Sequence, residues 1–280
     1  MSLLGYVFMQ RALIAGTLIG ATAGAIGVYV VLRGFSFIGA GIAHAAFGGV
    51  AIALLLGIEP LWGALAFSLA VAWAIAYTSR RAALKEEVAI GILFAASMAL
   101  GIFLLSFIPG YRADLFGYLF GNILSVSSHD LLVSFVLAGL VFTAVAVLYK
   151  EFLFITFDPG MAEVSGFPVG VLQGLLLSLV ALTVVLSLRV VGAVLVAALL
   201  VIPAATAYQL VRDFHRLLFL SALLGIAEVV GGLIISFYLD TPSGPTIVLL
   251  SAALFALCLL YTSDAADELD GVDLGGRRII

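Results

Sequence analysis

"LLFLSALLGIAEVVGGLIISFY", Leu217–Tyr238, runs for 22 residues with a single charged side chain, Glu228. About 20 apolar residues is the length a helix needs to cross the hydrocarbon core of a bilayer. A charged group at the middle of such a helix costs roughly 2.5–3.5 kcal/mol on insertion scales, so it marks a functional site by default. The same reasoning applies to "IGAGIAHAAFGG", Ile38–Gly49, where His44 is the only ionisable group. Imidazole and carboxylate are also side chains that hold divalent metals. The two stretches together describe a membrane protein that handles something polar, a metal ion above all.

The rest of the chain agrees with that start. Of its 280 residues, 64% are hydrophobic and 10% charged, with a mean hydropathy of +1.30. A soluble domain carries about 25% charged residues. An all-α polytopic fold is expected, because in lipid only helices or closed barrels satisfy the backbone, and a barrel would alternate over segments of about ten residues. Nine apolar stretches are candidate spans: 11–32, 36–57, 61–78, 88–108, 131–149, 168–188, 190–211, 217–238 and 245–262. Two of them are nearly contiguous around Arg189, and the first could begin as an interfacial helix, so the count is eight or nine. The 30 glycines suit closely packed membrane helices. No cleavage site follows the first apolar run, so no cleaved leader is expected. The single cysteine, Cys258, excludes an internal disulfide and a thiolate cage.

Lysine and arginine set the orientation. With the N-terminus outside, Arg33, Arg80, Arg81, Lys85, Lys150, Arg212 and Arg216 fall on the cytoplasmic side, and Arg11, Arg112 and Arg189 outside. The string "CLLYTSDAADE", Cys258–Glu268, resembles a translated transposase-type sequencing adapter, and "GVDLGGRRII", Gly271–Ile280, its continuation. Residues 1–257 are therefore read as the permeating domain and 258–280 as a non-native tail. That tail holds five of the 16 acids and two of the 12 bases, so without it the net charge of −4 becomes −1. Neither value implies a charged partner, and no basic nucleic-acid surface is present.

Six segments, in order, carry a family resemblance: "VLRGFSFIGAGIAHAAFGG" (Val31–Gly49), "EEVAIGILFA" (Glu86–Ala95), "YLFGNIL" (Tyr118–Leu124), "FDPGMAEVSGF" (Phe157–Phe167), "VVGAVLVAALLVIPAATA" (Val190–Ala207) and "YLDTPSGPTIVLLS" (Tyr238–Ser251). The chain resembles the permease subunits of ABC importers for zinc, manganese and related divalent metals. The resemblance implies a type II-like permease in the cell membrane, a homodimer with the pathway at its interface, cytoplasmic ATPase subunits and an extracytoplasmic metal-binding protein. It implies no resident cofactor, the metal being cargo. It also implies a pathway role for His44. Family members commonly carry an Asp four residues earlier, where this chain has Ala40. Glu228 is expected to supply the missing charge, either to a buried His44–Glu228 pair or to the passing cation. The plainer alternatives are a histidine bonded between packed helices and a glutamic acid bonded to a backbone carbonyl.

Asp158, Ala162 and Gly166, at i, i+4 and i+8, resemble the family's coupling helix, with Asp158 as cap and Pro159 in the first turn. This face is expected to seat in an ATPase groove. His129 and Asp130 read as a helix start with a capping Asp or Ser; a metal-accepting role at an external docking face is the sharper alternative. His215, among Arg212, Asp213 and Arg216, reads as a solvated or headgroup contact. No GxxxxGK[ST] loop occurs, so ATP hydrolysis by that route must lie in another subunit, and the chain is not expected to be an enzyme. Three other readings stay open: a permease for a metal chelate or corrinoid, an intramembrane metalloenzyme using His44 and Glu228, and an ATP-independent carrier.

Overall fold

The computed structural model describes residues 5–81, 85–108 and 126–270. The segment Tyr118–Leu124, Arg112 and residues 271–280 lie outside them, as do the side chains of Arg189 and of residues 263–270. The described residues form helices and no strand: α1 (Val7–Leu32), α2 (Ile38–Leu56), α3 (Pro60–Arg81), α4 (Glu86–Leu105), α5 (Ser128–Val147), α6 (Tyr149–Phe157), α7 (Pro159–Val164), α8 (Val169–Val191), α9 (Ala193–Leu210), α10 (Phe214–Leu239) and α11 (Ser243–Asp270). Eight of these, α1–α5, α8, α10 and α11, are long and apolar enough to cross a membrane, and α9 contributes a shorter apolar helix, Leu195–Leu210.

Every apolar stretch read from the sequence is thus a helix. The near-contiguous pair divides at Gly192, whose φ of +83° closes α8 and opens α9 in a backbone region that costs glycine little. Among the described residues the first span shows no separate interfacial piece; α1 runs unbroken for 26 residues.

α1 is the centre of the bundle. It packs most extensively on α10 and then on α9, with α5 and α8 against its other sides. α2 lies between α3 and α4 and also touches α8 and α9, while α11 covers α9 and α10. The α1–α10 seam is backbone to backbone. A Cβ added at Gly20 would lie 2.4 Å from the Gly225 carbonyl oxygen, and one at Gly225 would lie 2.2 Å from that of Gly20. One turn on, the Ser221 hydroxyl donates to the Gly24 carbonyl at 2.6 Å. Without a hydrophobic force between helices in lipid, such close approach is what holds them.

One end of the bundle gathers the charges. Arg33 binds Glu86 at 3.1 Å, Gln173 also donates to Glu86, and Arg80 binds Glu163 at 2.9 Å. These contacts tie the end of α1 to the start of α4 and α8, and the end of α3 to α7. On the same end His215 stacks on Tyr149, with ring centroids 4.6 Å apart, and Phe157 meets Phe214. His215 is exposed, and its ring also packs on the neighbouring α6. At the opposite end Tyr6, before α1, meets Phe237 near the end of α10. The charge asymmetry read from the sequence is a property of the fold.

Candidate functional site

His44 lies six residues into α2, about 9 Å along the axis from the start of that helix and about one turn short of its midpoint. Its ring is half-buried and stands edge-on to Phe94 of α4, with centroids 4.9 Å apart. Nδ1 donates to the Ala40 carbonyl at 2.8 Å. A carbonyl can only accept, so the proton sits on Nδ1, and in the neutral ring the lone pair sits on Nε2. Metal-ligating histidines are characteristically held this way, one ring nitrogen tied to a carbonyl and the other free. Position 40 thus lacks a carboxylate but still serves His44 through its backbone.

Glu228 lies fourteen residues into α10, about 21 Å from that helix's start. It is 0% exposed, and both carboxylate oxygens are buried with no partner in hydrogen-bond geometry. Its sequence neighbour Val229 packs toward Gly16 of α1, and the Ser251 hydroxyl of α11 lies alongside the carboxyl but donates to the Ile247 carbonyl. The expected His44–Glu228 pair is not formed. His44 belongs to the α2–α4 seam and Glu228 to the seam of α1, α10 and α11. Among the described residues no three of His, Cys, Asp and Glu come together as a metal cage.

At the charged end, Asp158 accepts from the Met161 amide at 2.8 Å, capping α7 as its position predicts, with Pro159 in the first turn. Ala162 and Gly166 depart from the expected face. Ala162 is wholly buried, so it anchors α7 to the protein. Gly166, at φ +85°, lies beyond the helix end. Its amide reaches the Glu163 carbonyl and that of Phe167 the Ala162 carbonyl, both at 3.0 Å, the paired bonds of a Schellman ending. Gly166 stops the helix and, like Asp158, stays exposed, while Phe157, Met161 and Val164 are the large apolar side chains that face outward on this segment. At the other end, Ser127 and Asp130 form a capping box at the start of α5, and His129 is exposed beside it.

The sequence reading missed the Arg33–Glu86 pair, whose side chains are only 8% and 23% exposed. Burial lowers the Arg33 pKa and Glu86 opposes that shift. Arg33 Nη1 is buried with no partner, while the guanidinium lies 4.8 Å from the centre of the Phe35 ring. The only sequence signal was a lone Arg at the end of one apolar run and a Glu at the start of another.

Residues 5–262 match the model of the ABC 3 transport family. The manganese transport system membrane protein MntC of Halalkalibacterium halodurans is 40% identical over 260 residues, covering 93% of this chain and 89% of that protein. The structure of PsaBC from Streptococcus pneumoniae in complex with Fab superposes with a TM-score of 0.81 at 35% identity, over 91% of this chain and 92% of that one. A metal-chelate type ABC transporter in an inward-facing conformation shares the fold, with a TM-score of 0.73 at 18% identity, over 90% and 86%. The chain belongs to the ABC 3 transport family and is a multi-pass membrane protein.

Proposed function

From that membership, we propose that the chain is the transmembrane permease of an ATP-driven importer for divalent metal ions, with manganese or zinc as cargo. The relative at 40% identity is a manganese transport protein, which supports the metal class. The observation that carries the reading to a residue is the Nδ1–H bond from His44 to the Ala40 carbonyl, which leaves Nε2 free to meet a metal. The site is spare, as a transport site should be, because the ion must leave again. Water and backbone carbonyls complete the shell of a passing ion.

Glu228 acts as a second, separate station. A buried carboxylate without a hydrogen bond is costly, and a fold that keeps one at this depth keeps it for a reason. In this conformation it is closed off. It meets the ion when the α1–α10–α11 seam opens during alternating access. The permease works as a homodimer, with cytoplasmic ATPase subunits seated against α7 at the charged end and an extracytoplasmic metal-binding protein at the other. ATP binding and hydrolysis switch the dimer between its two openings.

The test is to express the chain with its ATPase and metal-binding protein, reconstitute the complex in nanodiscs, and measure ATPase activity. Stimulation by the manganese- or zinc-loaded binding protein, and none by the metal-free one, is expected. Stimulation by a metal chelate or corrinoid alone would overturn the ionic-cargo reading.

A further inference from the structure

The outer face of α3 at the charged end meets the start of α8 across a cleft of about 550 Å³. Its walls are apolar: Trp73, Tyr77, Phe167, Val169 and Val171, and its mouth carries Arg80 and Arg81. Trp73 and Tyr77 are 43% and 64% exposed within an apolar span. Trp73 lies flat against α8, since a Cβ at Gly174 would come within 2.7 Å of its ring. Arg81 folds back along the helix. Its Nε donates to the Tyr77 hydroxyl at 3.2 Å, and its guanidinium stands 6.0 Å from the centre of that ring. No carboxylate pairs with Arg81 among the described residues, whereas Arg80 shares its charge with Glu163. Two guanidiniums and one carboxylate leave a net positive mouth above an apolar groove, in the last turn of the α3 span.

We propose that this cleft binds one anionic phospholipid from the leaflet at the charged end. The lipid phosphate sits between Arg81 and Arg80, and one acyl chain runs along Trp73 and Val171. Guanidinium suits phosphate because its donors form a planar fork. Tyr77, one turn before Arg81, suits the interfacial level. Because Arg80 also holds Glu163 on α7, the bound phosphate shares a cation with that helix and steadies it.

The full-length protein, purified in mild detergent, is exchanged with phosphatidylglycerol or phosphatidylcholine of matched chains, and retained lipid is counted by native mass spectrometry. Wild type should hold one phosphatidylglycerol per protomer with about tenfold preference over phosphatidylcholine, because basic residues near a membrane surface favour anionic lipid. The pair Arg80→Gln with Arg81→Gln should lose that preference to within twofold while eluting as a folded protein. Arg212→Gln with Arg216→Gln, at the same end, should keep it. Equal loss in both double variants would overturn the site in favour of general surface charge. Unchanged retention by the Arg80/Arg81 variant, or displacement of the lipid by inorganic phosphate, would overturn it as well. Trp73→Ala supplies a second check, with faster lipid loss expected and unchanged retention counting against the groove.

Discussion

Changing Glu86→Gln should destabilise the bundle more than the exposure of the residue suggests. The carboxylate accepts from Arg33 at 3.1 Å and from Gln173, on two different helices. Arg33 is nearly enclosed, at 8% exposure, and one of its terminal nitrogens already lacks a partner. Removing one member of a buried pair costs about 3–5 kcal/mol, because the other charge is left uncompensated. Glu86 keeps 23% of its side-chain surface, so water relieves part of that penalty and the lower end, about 3 kcal/mol, applies. Replacing both members, Arg33→Met with Glu86→Leu, should recover most of the loss, since well-packed apolar substitutes for buried pairs are often neutral. The assay is apparent melting by fluorescence-detected size exclusion across the full double-mutant cycle. The effect should reach the site as well. Phe94 sits eight residues along α4 from Glu86 and packs on His44, so freeing the start of α4 loosens that ring. If Glu86→Gln melts within a degree of wild type, or the double variant is worse than either single one, the pair is not the tie described here.

Three further outcomes follow. Gly225→Ala should cost about 3 kcal/mol or more and lower the yield of folded protein, because the new methyl meets the Gly20 carbonyl at 2.2 Å; Gly91→Ala, which faces open space, should not. Asp158→Ala should cost about 1 kcal/mol of local stability by uncapping α7, read as faster hydrogen exchange there and weaker co-purification of the ATPase subunit. Glu228→Gln should cut metal uptake severalfold with normal abundance, and adding Ala40→Asp should not restore it, because position 40 lies in the other seam; normal uptake by the single variant would assign Glu228 a packing role alone.

Much of this was legible in the residues, and what was not has a physical cause. An apolar run of 20 residues is a strong signal by itself, so each long apolar helix could be placed from the sequence. Asp158 and Pro159 announced the start of α7 through chemistry confined to one turn. That Gly166 lies past the end of α7 was not legible, because a small residue on a face and a glycine at positive φ look alike in a sequence. Partners across seams were harder still. Glu86 is 53 residues from Arg33, and Tyr149 is 66 from His215, and nothing local connects them. At position 40 the missing Asp was visible, whereas the carbonyl that orients His44 is present in every residue and carries no signal.

The central claim is that His44 meets the transported ion. Radioactive manganese uptake into proteoliposomes holding the full complex, with zinc as competitor, tests it most directly for wild type and His44→Ala. Position 44 is half-buried and forms one local hydrogen bond, so the variant should reach wild-type abundance. Its uptake should fall at least about tenfold, the scale of one lost metal contact of about 1.4 kcal/mol or more. Wild-type uptake by His44→Ala, at equal protein in the vesicles, would contradict the account.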